Sequence, residues 1–415
     1  MHSKHEVDEK LNFLLIVPSY ACASFTGAGQ RTIMIFEALK SLGCVNILII
    51  GDGDPEFFAG FFLNSTSLTI IKPYERAQLG FWQYIRPINP KIIDLVATAL
   101  GSRKYLYKPD INFFAFIKGI SEFDLVVGRY LRPTVRSGAL HFGSTPVILD
   151  VDDRDDIVFK SRLNRPDISF FSKIFFKWHL MQMQKIMPNL LPLAKHLWLT
   201  SESDNLEIEH SSKSVLPNIP FSNFNNSYNP LPENHDSKII LFVGSFGHRV
   251  NREGIERFIL NCWPKITSVV SDARLRIVGS GGWEMLKDKY IDTPGIDIVG
   301  FKNCLEDEYE GAAFTITPLF EGGGTKIKVL ESLFYQRASV VTVAAQYGYE
   351  KLINNESLLV ASNESELIAG CIKLLQDSNF RSRLAIEGRK KVFDEYSFER
   401  FSLFIQDTIN SVKVN

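Results

Sequence analysis

An apolar run over residues 11–17 opens the patterned part of the chain and predicts a buried first strand. It leads into Pro18-Ser19-Tyr20 and then Gly27-Ala28-Gly29-Gln30-Arg31. Beyond these, Ile33, Phe36, Leu39 and Leu42 recur at helical spacing and Gly43 marks a stop. A second apolar run, 45–50, follows at once. The helical crossover makes parallel pairing of the two strands the default. Short apolar runs at 125–127, 147–149, 197–199 and 214–216 extend the same sheet, so the first half reads as doubly wound α/β.

Between residues 216 and 237 the periodicity fades, and Pro217, Asn218, Pro220, Asn223, Asn225, Asn226, Asn229, Pro230 and Pro232 place a domain boundary there. The pattern restarts with a strand at 239–243, a Gly244-Ser245-Phe246-Gly247 loop, and one helix carrying Ile255, Phe258, Ile259, Trp263 and Ile266. Strands at 275–278, 296–299, 314–317, 340–343 and 358–360 alternate with helical segments, the last at 363–376, 381–393 and 398–412. The fold class is therefore α/β: two Rossmann-like domains, 1–220 and 237–395, facing across a cleft, with a linker at 221–236 and a final helix at 396–415.

Composition narrows the function without naming it. The chain has 415 residues, 45% hydrophobic and 22% charged, which suits two or three soluble domains and excludes disorder or a disulfide-stapled miniprotein. Lys and Arg number 46 against 47 Asp and Glu, so no global field draws the molecule to nucleic acid, and any basic surface must be local. The five cysteines, at 22, 44, 262, 304 and 371, never form a C-x-x-C pair, which fits neither a disulfide framework nor a zinc site. Cys22 and Cys44 are expected to be small buried side chains in a protein of the reducing cytosol. The run at 11–17 is too short, and its acidic flank of Glu6, Asp8 and Glu9 too strong, for a signal segment; no run approaches the roughly 20 apolar residues of a membrane span.

The chemistry concentrates in Pro318-Leu319-Phe320-Glu321-Gly322-Gly323-Gly324-Thr325-Lys326-Ile327-Lys328-Val329-Leu330-Glu331. Three glycines after a strand, with Thr325 expected to start a helix, would present backbone N–H groups and a positive dipole end to an anion. Lys328, one turn inside, can reach a second phosphate oxygen, and Glu331, three residues on, suits a ribose diol. A nucleoside diphosphate fits this spacing; the alternative is a glycine turn before a core helix with two solvated charges. A Walker A loop is excluded, since Thr-Lys lacks the Gly-Lys-Ser/Thr order.

On these residues the second domain resembles the nucleotide-sugar-binding half of the retaining glycosyltransferases of family 4, which have the GT-B fold. Phe242-Val243-Gly244-Ser245-Phe246 with Asn251 and Gly254-Ile255, then Ala273 through Gly281, then Val299-Gly300-Phe301, resemble the successive donor loops of that family. In the first domain Gly27 through Arg31 resemble its glycine-rich acceptor loop, and Leu216-Pro217-Asn218 its entry to the linker. The resemblance implies transfer of a hexosyl group from a nucleotide-sugar, with retention and with no metal or other cofactor, to a glycan or lipid-linked hydroxyl, in cell-surface polysaccharide or glycoconjugate synthesis. It implies that Glu331 holds the ribose and that Lys328, Gly324 and Thr325 neutralise the phosphates. By the same analogy Gly300 and Phe301 border the base, and Gly244 and Ser245, with Gly322 and Gly323, line the donor. Rival readings are an epimerase or hydrolase of the same fold, or a non-catalytic sugar-nucleotide-binding module.

Two departures qualify the match. Family members often carry a glutamate eight positions before the Glu331 equivalent, where this chain has Gly323; Glu321, two residues earlier, is counted among the donor residues, and its replacing that glutamate is left open. The first donor loop reads Gly244-Ser245-Phe246-Gly247-His248-Arg249-Val250-Asn251, leaving Arg249 as its phosphate candidate. On the acceptor side, Gly27, Gly29, Arg31, Arg129, Asp150, Asp152 and Asp153 are the candidates. Asp150-Val151-Asp152 spells a D-x-D, but with the phosphate cradle in the other half it is expected to serve the acceptor or the structure rather than a metal. His141 and His196 are expected to be structural. Finally, Lys160, Arg162, Arg165, Lys173, Lys177 and Lys185 interleave with Phe170, Phe171, Phe175, Phe176 and Trp178 against the single acid Asp167. Residues 160–185 are thus either an amphipathic helix burying its aromatics or a peripheral contact at the inner face of the membrane.

Overall fold

The computed structural model describes residues 10–23, 26–73, 107–117, 119–142, 144–152, 154–163, 168–220, 230, 234–321 and 324–414. Gly322, Gly323, Asp153, Arg165, Asp167 and most of the predicted linker lie outside them. The chain divides into two units, residues 1–216 with 401–415 and residues 217–400.

The first unit holds a seven-stranded sheet in which all pairings are parallel: β1 (Leu11–Pro18), β2 (Gly43–Ile50), β3 (Ser67–Ile71), β4 (Leu125–Arg129), β5 (Val147–Asp150), β6 (His196–Leu199) and β7 (Lys213–Val215), in the order β3-β2-β1-β4-β5-β6-β7. The order reverses between β1 and β4, the switch point of a Rossmann-like sheet. Phe13, Leu15, Val126 and Leu149 are buried because helices cover both faces, which is why these strands read as unbroken apolar runs. β3 carries no such run: only partly buried at the sheet edge, it is Ser-Leu-Thr-Ile-Ile, and the hydrophobic pattern did not predict it.

Helix α1 (Gly27–Leu42) begins inside the expected glycine loop, with Thr26 as its cap accepting from the Gly29 N–H at 3.0 Å. A Cβ on Gly29 would lie 1.9 Å from the Ala23 carbonyl oxygen, so that turn accepts only glycine. The inner face of α1 is Thr32, Ile35, Phe36 and Leu39 together with Arg31, while Ile33 and Leu42 are only partly buried. Helices α2 (Asp155–Leu163) and α3 (Phe170–Leu190) pack on each other. Cys22 is buried and Cys44 partly so. His196 is held between the Ser212 and Ser214 hydroxyls at 2.7 Å each, and His141 lies at the surface.

The second unit repeats the topology with six parallel strands: β8 (Ile239–Val243), β9 (Arg274–Val278), β10 (Ile296–Gly300), β11 (Phe314–Thr317), β12 (Ser339–Thr342) and β13 (Leu359–Ala361), in the order β10-β9-β8-β11-β12-β13. The predicted single helix after β8 is two, α4 (Arg249–Asn261) and α5 (Trp263–Thr267), broken at Cys262, with Pro264 in the first turn of the second helix, where its missing N–H costs nothing. Thr342 ends β12, so Val343, predicted as strand, is 57% exposed in the next short helix. Helices α6 (Glu306–Gly311), α7 (Ile327–Phe334), α8 (Glu364–Gln376) and α9 (Ser378–Tyr396) complete the layers, and α10 (Phe398–Val414) ends in the first unit.

Candidate functional site

The switch point of the second sheet lies between β8 and β11, and the loops leaving their carboxyl ends carry most of the predicted donor residues. After β8 the backbone is pinned by three bonds: Gly244 N–H to Val278 O at 2.9 Å, Phe246 N–H to Ser280 O at 2.8 Å, and the Trp283 indole N–H to Gly244 O at 2.7 Å. A Cβ on Gly244 would sit 2.7 Å from the Lys328 ammonium and 2.9 Å from the Asn251 amide nitrogen. Glycine there leaves room for both side chains.

Lys328, the second residue of α7, does not extend into solvent. Its ammonium donates to Asn251 Oδ1 at 2.7 Å and lies 4.7 Å from the centre of the Phe242 ring. Asn251 in turn donates from Nδ2 to Ser245 O at 3.0 Å, which fixes its amide orientation. Burial, reinforced by neighbouring Lys326, pushes the Lys328 pKa down to about 7. Glu331 shares that helix. Burial pushes its carboxyl up to about 7 against the opposing pull of a 3.0 Å hydrogen bond from Tyr309 OH and the charge of Lys328. Tyr309 is buried in α6 and stacks on Tyr335 at 4.6 Å, so the hydroxyl that orients Glu331 is itself fixed.

Arg249 and Glu321, proposed for separate roles, are brought together: Arg249 pairs with Glu321 through one nitrogen and with Glu253 through another. Thr325 does not start the helix. Lys326 occupies the cap position without a side-chain cap bond, its ammonium bonded to Gly324 O at 2.6 Å, and Thr325 Oγ1 accepts from Asn218 at 2.6 Å. Gly324 has φ +71°, the left-handed turn that its lack of a side chain permits. His248 adds a fourth nitrogen group, kept neutral first by burial and then by Lys328, Lys326 and Arg249. Gly300 ends β10, two strands from β8, and its carbonyl accepts from the Gly279 N–H at 2.9 Å; Phe301 follows the strand and is 60% exposed.

Tyr309, His248 and the platform of Phe242 were not singled out for chemistry from the sequence. Tyr309 lies in the acidic turn Glu306-Asp307-Glu308-Tyr309-Glu310, which reads as a solvated helix, and only its contact with Glu331, 22 residues on, gives it meaning.

The acceptor-side candidates form a different kind of cluster. Asp150, fully buried at the end of β5, takes three contacts of 2.6–3.1 Å from Arg31 and a further bond from Arg129. Burial alone would raise the Asp150 pKa; the two guanidinium groups outweigh it and hold the carboxyl below its ordinary range. Arg129 also reaches Asp152 at 3.1 Å, the Ala28 carbonyl at 2.9 Å and Thr32 at 3.2 Å. Tyr130 OH donates to the same Asp152 oxygen at 2.9 Å, and Asp152 has a positive φ of 43°. Gly27 and Gly29 sit in the first turn of α1 above this network rather than in an open loop. Both carboxylates of the D-x-D are thus occupied by guanidinium. Among the described residues no group of three or more His, Cys, Asp or Glu side chains could hold a metal ion.

Two Rossmann-like α/β units, each with its own switch point, are the architecture of the GT-B fold, and solved structures align with it over nearly the whole chain. Sucrose-phosphate synthase from Thermosynechococcus elongatus superposes with a TM-score of 0.65 at 15% identity, covering 97% of this chain and 99% of that one. Anabaena HepE in complex with UDP gives 0.65 at 11% identity, covering 97% and 100%. Residues 237–377, within the unit that holds Lys328, match the family model described as glycosyl transferases group 1. An uncharacterized glycosyltransferase of Methanocaldococcus jannaschii is 26% identical over 189 residues, 43% of this chain and 45% of that protein. An uncharacterized 44.6 kDa protein from the cps region of Klebsiella pneumoniae is 25% identical over 279 residues, 63% and 64%. The chain spans less than two thirds of the length of either relative.

Proposed function

We propose that this chain is a glycosyltransferase of the retaining type that moves a hexosyl group from a nucleoside diphosphate-sugar to a hydroxyl of a glycan or lipid-linked acceptor, on the cytoplasmic side of the cell and in surface polysaccharide synthesis. The observation that carries the reading is the Asn251–Lys328 pair beside the Tyr309–Glu331 pair, on one helix at the switch point of the unit that carries the glycosyl transferases group 1 domain. Uridine diphosphate is the first nucleotide to consider, since HepE was solved with it.

In this mechanism the bond from the anomeric carbon to the diphosphate breaks as negative charge develops on the departing phosphate. Lys328, held by Asn251, and the N-terminal N–H groups of α7 are fixed donors that stabilise that charge without reorganising, and Arg249 joins them once its pair with Glu321 opens. Glu331, aimed by Tyr309, accepts from the ribose hydroxyls. No step requires a metal. The test measures loss of UDP-sugar and other donors with and without acceptor glycans. Acceptor-dependent loss that disappears in Lys328→Ala supports the transferase; acceptor-independent loss identifies the epimerase or hydrolase, and binding without loss a sugar-nucleotide module.

A further inference from the structure

The basic and aromatic stretch near residues 160–185 separates, in the structure, into an inner and an outer set. Helix α3 turns His179, Met183, Met187 and Leu190 inward, and Met183, Met187 and Leu190 join the core of the first unit. Phe175 and Phe176 are partly buried: Phe176 lies 6.3 Å from Phe159 of α2, and Phe175 meets His179 at 4.5 Å. This half is an ordinary amphipathic helix.

The opposite face is not. Phe170, Phe171, Ile174 and Met181 are 72%, 71%, 50% and 47% exposed. At helical spacing, Phe170, Ile174, Lys177, Met181 and Lys185 form one outward stripe, with Phe171 and Lys173 on its flanks. Lys173, Lys177 and Lys185 are all exposed. Fraying does not explain the exposed phenylalanines, because Ser169 caps the helix by accepting from the Ser172 N–H at 3.2 Å. A water-facing stripe would be polar, whereas this one alternates large apolar side chains with lysines. No Asp or Glu occurs from residue 168 to residue 201 to oppose a negative surface.

We propose that this outward face of α3 docks the protein on an anionic lipid bilayer, with Phe170, Phe171, Ile174 and Met181 entering the headgroup and acyl boundary and the lysines contacting lipid phosphates. The chemistry matches an in-plane interfacial helix, in which apolar area and basic charge act together and long lysine stems let the ammonium groups stay in water. Among the described residues no helix is long and apolar enough to cross a membrane, so attachment here would be peripheral. The inference rests on the glycosyltransferase reading only for its purpose, delivery of sugar to a lipid-linked acceptor; its evidence is independent of the nucleotide site.

The experiment sediments the full chain with phosphatidylcholine vesicles, with and without phosphatidylglycerol, at low and high salt. Binding is expected to the anionic vesicles only and to weaken as salt screens the lysines. Phe170→Ser with Phe171→Ser and Ile174→Ser should abolish it. Each Lys→Gln change at 173, 177 or 185 should weaken it about fivefold, the factor corresponding to ~1 kcal/mol per basic side chain near such a surface. These substitutions replace exposed side chains, and unchanged urea unfolding would show that the fold persists. Absence of binding, binding untouched by the triple serine variant, or a lipid-free dimer that the same variant dissolves, would each overturn the proposal. Nucleotide stabilisation measured on the same proteins keeps the two readings apart: its loss with vesicle binding intact sinks the transferase and leaves the docking face standing.

Discussion

Lys328 and Glu331 have pKa values driven toward each other, both to about 7, by the same burial acting on opposite charges. Lys328 loses its charge as pH rises through that value, and Glu331 loses its charge as pH falls through it. A diphosphate needs the lysine protonated and a ribose diol needs the carboxylate ionised, so nucleoside diphosphate affinity should be bell-shaped with its maximum near pH 7. Calorimetry across pH checks this: Lys328→Arg should flatten the alkaline limb and Glu331→Gln the acid limb. Tyr309→Phe removes the hydrogen bond that lowers the Glu331 pKa, so the acid limb should move to higher pH. A profile unchanged by all three variants would show that nucleotide does not bind here. Asp150 answers to stability instead. Asp150→Asn removes the buried carboxylate that Arg31 and Arg129 share, leaving Arg129 its 3.1 Å pair with Asp152 and Arg31 its bond to the Leu216 carbonyl, and should cost about 3–5 kcal/mol in urea unfolding. Because its folded pKa is depressed, the Asp150 contribution is present above the ordinary carboxylate pKa and is lost as pH falls through the lower folded value.

At the scale of elements, helix α4 is held against the end of β11 by a glycine. A Cβ on Gly254 would lie 2.5 Å from the Pro318 carbonyl oxygen, and backbone there cannot swing aside as a side chain can. Gly254→Ala should therefore lift α4 and displace Asn251, one turn earlier, from Lys328. The expected cost is about 1–3 kcal/mol of stability, with a loss of nucleotide affinity that thermal shift reads separately. If stability falls but nucleotide stabilisation persists, Asn251 does not position Lys328. The elements themselves were legible in the hydrophobic pattern wherever strands are covered on both faces: 239–243 and 314–317 were read to the residue. Edge strand β3 was not, because partial burial tolerates Ser67 and Thr69 and leaves no continuous run. The break at Cys262 also escaped the helical spacing, since Ile259 before it and Trp263 and Ile266 after it all stay buried. The spacing of Lys328 and Glu331 was visible from their helix alone. Their partners were not, since Asn251 and Tyr309 lie 77 and 22 residues away and no local periodicity encodes which loop meets which.

At the scale of the whole molecule, the chain crosses between its units once near residue 216 and returns at the end, so helix α10 completes the unit that the sequence began. Its inward residues Phe401, Ile405, Ile409 and Val412 are all buried, at intervals of four, four and three. Full burial of such side chains stabilises by about 1.5–3 kcal/mol each. Four of them rival the whole stability of an ordinary domain. Ending the chain after Ser397 should therefore unfold the first unit while the second keeps its sheet and the proposed nucleotide site. Calorimetry of the truncated protein should then show one transition that nucleotide still raises, and far-UV dichroism should fall by more than one helix's share. A truncated chain that melts like the intact one would mean that the seven-stranded sheet stands without α10. Loss of the nucleotide-stabilised transition as well would mean that the second unit depends on the first for its fold.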